Sequence, residues 1–319
     1  FEVLYEMTRG AHVFFLSRLP SPKIIMQALA EVKPTLVIAV PLIIEKIYKS
    51  KVKPVLEKAG IRFVMKLPGL EQVVMNKIKT ELINAFGGEF VEVIIGGAAF
   101  NKEVESFFKK MEFPFTVGYG MTECAPIITY DGHKTAKLYS CGRIVPNMEM
   151  KIDSPDPQNI PGELLVRGAN VFLGYYKNEE ATKEVLEDDG WFHTGDMGVI
   201  DADGYLFLRG RSKCMILGPS GQNIYPEEVE AVLDTRPYVL ESLVIEDNGG
   251  LTALIYPDFD LAAKEGMNQA TFIKYMEDTL PEVNKELPNY AKLKKIEVMS
   301  EAFERTPKKS IKRYLYQRN

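Results

Sequence analysis

The chain has 319 residues, 46% of them hydrophobic, and a formal net charge of −5. The length exceeds a single domain of about 100–200 residues, so two or more domains are expected, with enough apolar sequence for a sizeable core. The acidic balance argues against a general nucleic-acid binder, no run of about 18 apolar residues marks a membrane span, and no signal peptide is visible.

In chain order, Gly10 to Ser17 reads as a buried strand. Ser21-Pro22 opens a helix with proline in its first turn, and Ile24, Ile25, Ala28, Leu29 and Val32 mark one face of it. Leu36 to Val40 is a short apolar run consistent with a buried parallel strand. Pro41 opens a second helix through Tyr48. Leu70 to Phe86 is amphipathic, with Val73, Val74, Ile78, Leu82 and Phe86 spaced for a core face. The alternation argues for an open α/β sheet. Val91 to Ile95 is the next strand, followed by Gly96-Gly97-Ala98-Ala99. Ligands bind beyond strand C-termini in such sheets, and glycines let a flat ring or acyl group approach the backbone. Taken alone, these residues read more plainly as an ordinary strand-to-helix turn with Asn101 as N-cap. Phe115 to Val117 then leads into Gly118-Tyr119-Gly120-Met121-Thr122-Glu123.

Asp131 to Ser140 is polar and irregular, a loop. From Cys141-Gly142-Arg143 the chain is β-rich, with short strands at Glu149–Ile152, Glu163–Val166 and Tyr205–Leu208. They suggest a small barrel or sheet packed on the α/β layers. Asp196, in His193-Thr194-Gly195-Asp196, is a carboxylate held on a turn, suited to accept two hydrogen bonds from vicinal hydroxyls such as those of ribose. Asp201-Ala202-Asp203-Gly204 is a hairpin turn, and Arg211 beyond it is placed to reach the same sugar or a phosphate. A β-hairpin with a capping aspartate and surface arginines is the plainer alternative. After Arg211 the composition shifts. Gly218 to Gly221 is a turn, and Pro226-Glu227-Glu228 starts a helix with Val229, Val232 and Leu233 inward. Leu243–Ile245 and Leu251–Tyr256 flank Asn248-Gly249-Gly250, a hairpin signal. Phe272, Met276, Leu280 and Leu287 mark a helix that Pro281 is expected to break. Ile296 to Met299 is the last strand.

Cys124, Cys141 and Cys214 have no paired spacing, and an odd count without a framework points to a reducing compartment. His12, His133 and His193 do not cluster with them, so no zinc site is expected. The chain starts at Phe1, inside sequence that reads as folded, and a fragment is expected.

Four segments, in order, carry a resemblance to the adenylate-forming superfamily of acyl-CoA synthetases, peptide-synthetase adenylation domains and luciferases. They are Tyr119-Gly120-Met121-Thr122-Glu123, Gly162-Glu163-Leu164-Leu165-Val166-Arg167-Gly168, the stretch from Gly190 to Glu230, and the tail from Arg305-Thr306-Pro307 to Lys312-Arg313. The GAHVFFLSR, VPLIIEKIY and TPKKSIKRYLY segments most resemble bacterial long-chain fatty acid–CoA ligases. The resemblance implies part of a large doubly wound α/β domain (residues 1–130), a β-rich subdomain of it (131–210), and a small mobile α+β C-terminal lid domain (211–319) that rotates about a hinge near Lys213. It implies that Gly96, Gly97 and Ala98 lie beside the adenine and the acyl chain. Tyr119, Gly120, Met121 and Thr122 would line the nucleotide, with Tyr119 offering a face to the purine and Thr122 a hydroxyl to a phosphate. Glu123 would hold Mg²⁺, which usually takes one or two carboxylates plus substrate phosphates. Asp196 and Arg211 complete the nucleotide set, and Gly221 resembles the glycine lining the pantetheine channel for coenzyme A. Gly174-Tyr175-Tyr176 to Thr182 opens a short helix in the same pattern.

Two departures qualify the match. The family's tail lysine, which contacts the acyl carboxylate and α-phosphate, falls on Ser310 here; Lys309 or Lys312 is the substitute, and Lys309 is carried as the catalytic candidate, beside the plainer reading of a solvated basic tail. No Ser/Thr/Gly-rich phosphate loop appears in residues 1 to 118, which supports an N-terminally truncated chain that is itself inactive. For the parent enzyme the resemblance implies attack of a fatty-acid carboxylate on the α-phosphorus of ATP, then displacement of AMP by the CoA thiolate. Fatty acid, ATP and CoA are the expected partners, without nucleic acid. A cytoplasmic site with peripheral membrane contact is a family expectation. A carrier-protein-loading adenylation domain, or a non-catalytic nucleotide-binding or interaction protein, are the alternatives.

Overall fold

The computed structural model describes residues 3–16, 22–67, 69–218, 221–306 and 310–318. They divide into two compact units, one of residues 1–194 and 199–208, the other of residues 195–198 and 209–319.

A short helix at Leu4–Thr8 precedes the layered part of the first unit, which is built on α1 (Pro22–Val32), β1 (Leu36–Ala39), α2 (Pro41–Ile47), α3 (Leu70–Ala85), β2 (Glu92–Ile95), α4 (Lys102–Lys110) and β3 (Phe115–Val117). The strands form a parallel sheet in the order β1-β2-β3, with Val37 opposite Val93 and Val93 opposite Phe115. Parallel neighbours require a crossover, and the helices supply it. The α/β class is the one expected. The register sends Val37, Ala39, Val93, Ile95, Phe115 and Val117 into one core with Ile44, Met75, Ile78, Leu82, Phe86 and Phe108. Phe108 lies against Phe113 and Phe115 with ring centroids 4.8 and 5.6 Å apart. Burying each such ring is worth about 1.5–3 kcal/mol. Gly87, after α3, lets this turn close on α1: a Cβ there would come 2.7 Å from Lys33 Cα.

Three local expectations fail here. Residues 11–16 form no strand, and Phe14 and Phe15 are exposed; an apolar run alone does not make a strand without a neighbour to bond its backbone, and among the described residues this one has no ladder. β1 is parallel but only half buried, because Leu36 and Ile38 point away from the core and are exposed. Val73 is exposed as well; α3 turns Met75 inward instead.

The β-rich part holds β4 (Ile127–Tyr130), β5 (Arg143–Ile144), β6 (Met148–Asp153), β7 (Gly162–Gly168), α5 (Glu179–Val185), β8 (Phe192–Ile200) and β9 (Leu206–Arg211). The last four strands form one sheet in the order β9-β8-β7-β6, with β6 and β7 antiparallel. Its core contains Cys124, Ile128, Leu164, Val166, Phe192 and Leu206.

The second unit adds α6 (Pro226–Leu233), β10 (Val239–Asp247), β11 (Gly250–Pro257), α7 (Gln269–Glu286) and β12 (Leu293–Val298). β10 and β11 are antiparallel, joined through Asn248-Gly249, both at positive φ (50° and 68°), as a two-residue hairpin demands. β12 adds in parallel to β11. Val229, Leu233, Val244, Ala253, Phe272, Met276 and Val283 form the core. Pro281 does not break α7, which runs on to Glu286. Glu277 and Pro281 share the exposed face, so water can bond the carbonyl that loses its donor. Among the described residues no helix is long and apolar enough to cross a membrane.

Candidate functional site

At the carboxyl ends of β1–β3 the backbone continues the sheet for one more step. Gly96 N–H donates to Ala39 O at 3.2 Å, and Gly118 N–H to Ile95 O at 2.9 Å. A Cβ on Gly96 would meet Gly118 O at 3.3 Å, so these two strand ends close on one another. Gly97 turns the chain at φ +85°, and Gly97, Ala98 and Ala99 are exposed. Asn101 caps α4, its Oδ1 accepting from Glu103 and Val104 N–H at 3.0 and 3.1 Å. The N-cap expectation is met, and the exposed glycine strip stands beside it.

Tyr119-Gly120 pairs with β4. Only glycine fits at 120, since a Cβ would lie 2.9 Å from Pro126 C. Met121 N–H donates to Pro126 O at 2.7 Å and starts a single 3-10 turn, Thr122–Cys124. That turn leaves Thr122 exposed and Glu123 half-buried. Cys124, beneath it, is fully buried, and burial pushes its thiol up to about 12.

A second loop clasps this turn. Asn170 Nδ2 donates to Cys124 O at 2.7 Å and Ile127 O at 3.1 Å. Phe172 N–H donates to Glu123 O at 2.7 Å, and Tyr175 Oη donates to Glu123 Oε1 at 3.1 Å. The Glu123 carboxylate is thereby oriented by a phenol from 52 residues downstream. Sequence reasoning took Tyr175 only as part of a helix opening and passed over Asn170; the sole signal was that the Gly162–Gly168 strand feeds directly into this loop.

In the second unit Asp196 is buried and Arg211 exposed, and Arg211 Nε pairs with Asp196 Oδ1 at 2.8 Å. Asp196 sits inside β8 rather than on a turn, which corrects the sequence reading. Gly195, at φ +71°, supplies the local irregularity, and its carbonyl accepts from Ser212 Oγ at 3.2 Å. Lys213 is exposed in the 3-10 turn Ser212–Cys214. Gly221 is exposed at φ +80°, donating to Gly218 O at 2.9 Å.

In the tail Arg305 bridges Ile311, and Thr306 N–H donates to Ser310 O at 2.8 Å. Ser310 is exposed. Lys309 lies outside the described residues. Lys312 Nζ is held by Glu304 Oε2 at 3.1 Å, which raises its pKa.

Glu123 offers the hard oxygen that Mg²⁺ prefers. Among the described residues no group of three or more metal-ligating side chains occurs. One oriented carboxylate fits a cation that arrives with a polyphosphate.

Comparison with known proteins adds the lineage. Residues 1–176 match the AMP-binding enzyme family, and residues 215–319 match the AMP-binding enzyme C-terminal domain. A long-chain-fatty-acid–CoA ligase of Gallus gallus, ACSBG2, is 29% identical over 80% of this chain and 36% of its own length. The long-chain-fatty-acid–CoA ligase FadD15 of Mycobacterium tuberculosis is 29% identical over 70% of this chain and 40% of its own. A 4-coumarate–CoA ligase of Narcissus pseudonarcissus is 33% identical over 56% and 35%. The chain therefore spans well under half the length of these relatives. Among solved structures, ATP-bound MatB from Rhodopseudomonas palustris superposes with a TM-score of 0.71 at 22% identity, covering 98% of this chain and 55% of that one. O-succinylbenzoate coenzyme A synthetase of Bacillus subtilis, with ATP and magnesium, gives 0.71 at 22%, covering 97% and 56%. At that identity the likeness is one of fold.

Proposed function

The chain belongs to the AMP-binding enzyme family, within the adenylate-forming superfamily, and on that premise we propose that the intact protein is an acid–thiol ligase that activates a long-chain fatty acid with ATP and transfers it to coenzyme A. The observation that carries this reading is the clasped turn at Thr122–Glu123: an exposed hydroxyl next to a carboxylate fixed by Tyr175, one turn from the glycine-lined strand ends.

The proposed roles follow from the chemistry of each group. The Gly96–Ala98 strip and the Tyr119–Met121 backbone let a flat base and an acyl chain approach closely. Thr122 donates to a phosphate oxygen. Glu123 would hold Mg²⁺, whose positive charge beside the phosphates would supply Lewis-acid stabilisation there. Asp196, oriented by Arg211, accepts from ribose hydroxyls. Lys213 serves as the hinge, Gly221 as the wall of the CoA channel, and the tail turn, through Lys309, as the source of positive charge at the acyl-phosphate. Placing fixed charges where charge develops is the main source of catalysis in such a reaction. Peripheral membrane contact from a cytoplasmic location belongs to the same proposal.

Long-chain acids are favoured over aryl acids because the two fatty-acid ligases align over 80% and 70% of the chain and the coumarate ligase over 56%. The test is acid-dependent ATP–pyrophosphate exchange by the intact protein, across a fatty-acid series with 4-coumarate as comparator. Exchange strongest with long chains is expected. Exchange with 4-coumarate alone would replace the substrate; exchange with no acid would remove the ligase reading and favour a non-catalytic nucleotide binder.

A further inference from the structure

An ionic cluster inside the second unit joins segments that are far apart in sequence. The Arg313 guanidinium pairs with Glu230 and lies 3.7 Å from Glu227 Oε1, both carboxylates belonging to α6. Glu230 is buried and also accepts from Val244 N–H at 2.7 Å, which fastens α6 to β10. Burial drives the Glu230 carboxyl upward, and Arg313 opposes this. The other Glu227 oxygen, Oε2, is buried with no hydrogen-bond partner among the described residues. It faces the backbone of the segment that enters this unit: a Cβ on Gly210 would come within 2.6 Å of it. Arg209, one residue earlier, pairs with Glu228 of the same helix at 3.1 Å. Cys214, at the end of that segment, feels Glu227, Arg313 and Glu230 together.

Helix α6 thus holds the tail through Glu230 and Glu227 and residues 209–214 through Glu228, and Glu227 touches both sides because its second oxygen lies against Gly210. Other contacts also fasten the described part of the tail. Phe303, Ile311 and Tyr316 pack with Leu243, Ile245 and Leu254, and Lys312 N–H donates to Glu304 O at 2.8 Å.

We propose that Arg313 is a positioning residue: by neutralising Glu227 and Glu230 it locks the tail segment 310–316 and the 209–214 segment onto α6 as one body, so that the tail moves with the segment carrying Lys213. Its catalytic consequence rests on the ligase reading; the coupling itself does not. Without Arg313 the buried Glu230 and the half-buried Glu227 are left without their shared cation, an unfavourable arrangement. Their relief displaces Glu227 against Gly210 on one side and frees the tail on the other. Coupling of this kind is reciprocal, so a disturbance at Gly210 reaches the tail.

Hydrogen exchange on the intact protein tests this with R313Q, R313K and G210A. R313Q is expected to raise exchange about tenfold or more in both 303–316 and 209–218, while 243–255 stays protected. G210A, disturbing the opposite end, is expected to raise exchange in 310–316. R313Q should also lower kcat for acid-dependent ATP–pyrophosphate exchange at least about tenfold with KM for ATP within about twofold, and R313K should recover part of it. Increased exchange confined to the tail in R313Q, or a tail unchanged in G210A, overturns the coupling. If R313Q loses protection at 243–255 as well, G210A decides alone. If the wild-type protein shows no pyrophosphate exchange, the ligase reading falls while hydrogen exchange still decides the coupling.

Discussion

Glu123 and Tyr175 form a pair that no local sequence pattern announces, because the phenol acts as an outer support for a carboxylate 52 residues away. Supports of this kind typically matter about 10–100-fold in metal affinity or activity. Tyr175→Phe is expected to weaken Mg²⁺-dependent pyrophosphate exchange by roughly tenfold, with a raised Mg²⁺ requirement. Glu123→Gln, which keeps an acceptor for Tyr175 but loses the charge, should cost about 10²-fold or more. Equal activity of both variants with wild type, across a magnesium titration, would remove the metal role. A second residue concerns stability. Glu105 of α4 is buried and accepts from Tyr139 N–H at 2.6 Å; burial pushes its carboxyl up to about 7, against that bond and nearby Lys102 and Lys109. Between about pH 4.5 and 7 the folded state keeps a proton that the unfolded chain has lost, so stability falls as pH rises through that window. Glu105→Gln should flatten this part of the Tm–pH profile and stabilise above pH 7 by at most about 3 kcal/mol. His193 adds a slope of the same sign. Burial alone would lower its pKa, but Glu163 at 3.0 Å and Glu187 at 2.8 Å outweigh it and raise it, so its contribution too is lost with rising pH.

At the scale of elements, local signals that satisfy backbone groups proved reliable. The Asn101 cap and the Asn248-Gly249 hairpin formed as read, since each rests on bonds within a few residues, and the helix–strand alternation followed because the apolar period of each element is local. Signals that depend on a partner were weaker. Residues 11–16 have strand composition but no ladder, and β1 has strand geometry but only one buried face. Pro281 shows the limit from the other side: its cost is real, but α7 is fastened by Phe272, Met276 and Val283 in the core. Restoring the N–H with Pro281→Ala should therefore raise stability by about 1–2 kcal/mol, less than the full helix-interior penalty because the unfolded chain also gains freedom. Thermal unfolding checks it; an unchanged or lowered Tm would mean that the proline is not strained in place.

For the molecule as a whole, each unit has its own core, and the described residues of the second include a three-stranded sheet, three packed helices and an ion-paired tail. Residues 209–319 produced alone should unfold in one cooperative transition, with a urea m-value of about 1–3 kcal/mol/M. A non-cooperative or molten fragment would show that its core depends on the rest of the chain.

The amino-acid order alone determined the class of fold, many of the helices and strands, and the motifs at Tyr119–Glu123, Gly162–Gly168 and Thr194–Arg211, because periodicity, caps and turns are short-range and written in neighbouring residues. It also exposed the departure at Ser310. Only the tertiary structure decided that Tyr175 orients Glu123, that Asp196 lies within a strand paired to Arg211, and that Arg313 meets Glu227 and Glu230. Those contacts join residues from 15 to 86 positions apart, and nothing local specifies them. They arise because a buried charge must find its partner wherever the packing of distant elements brings one within reach.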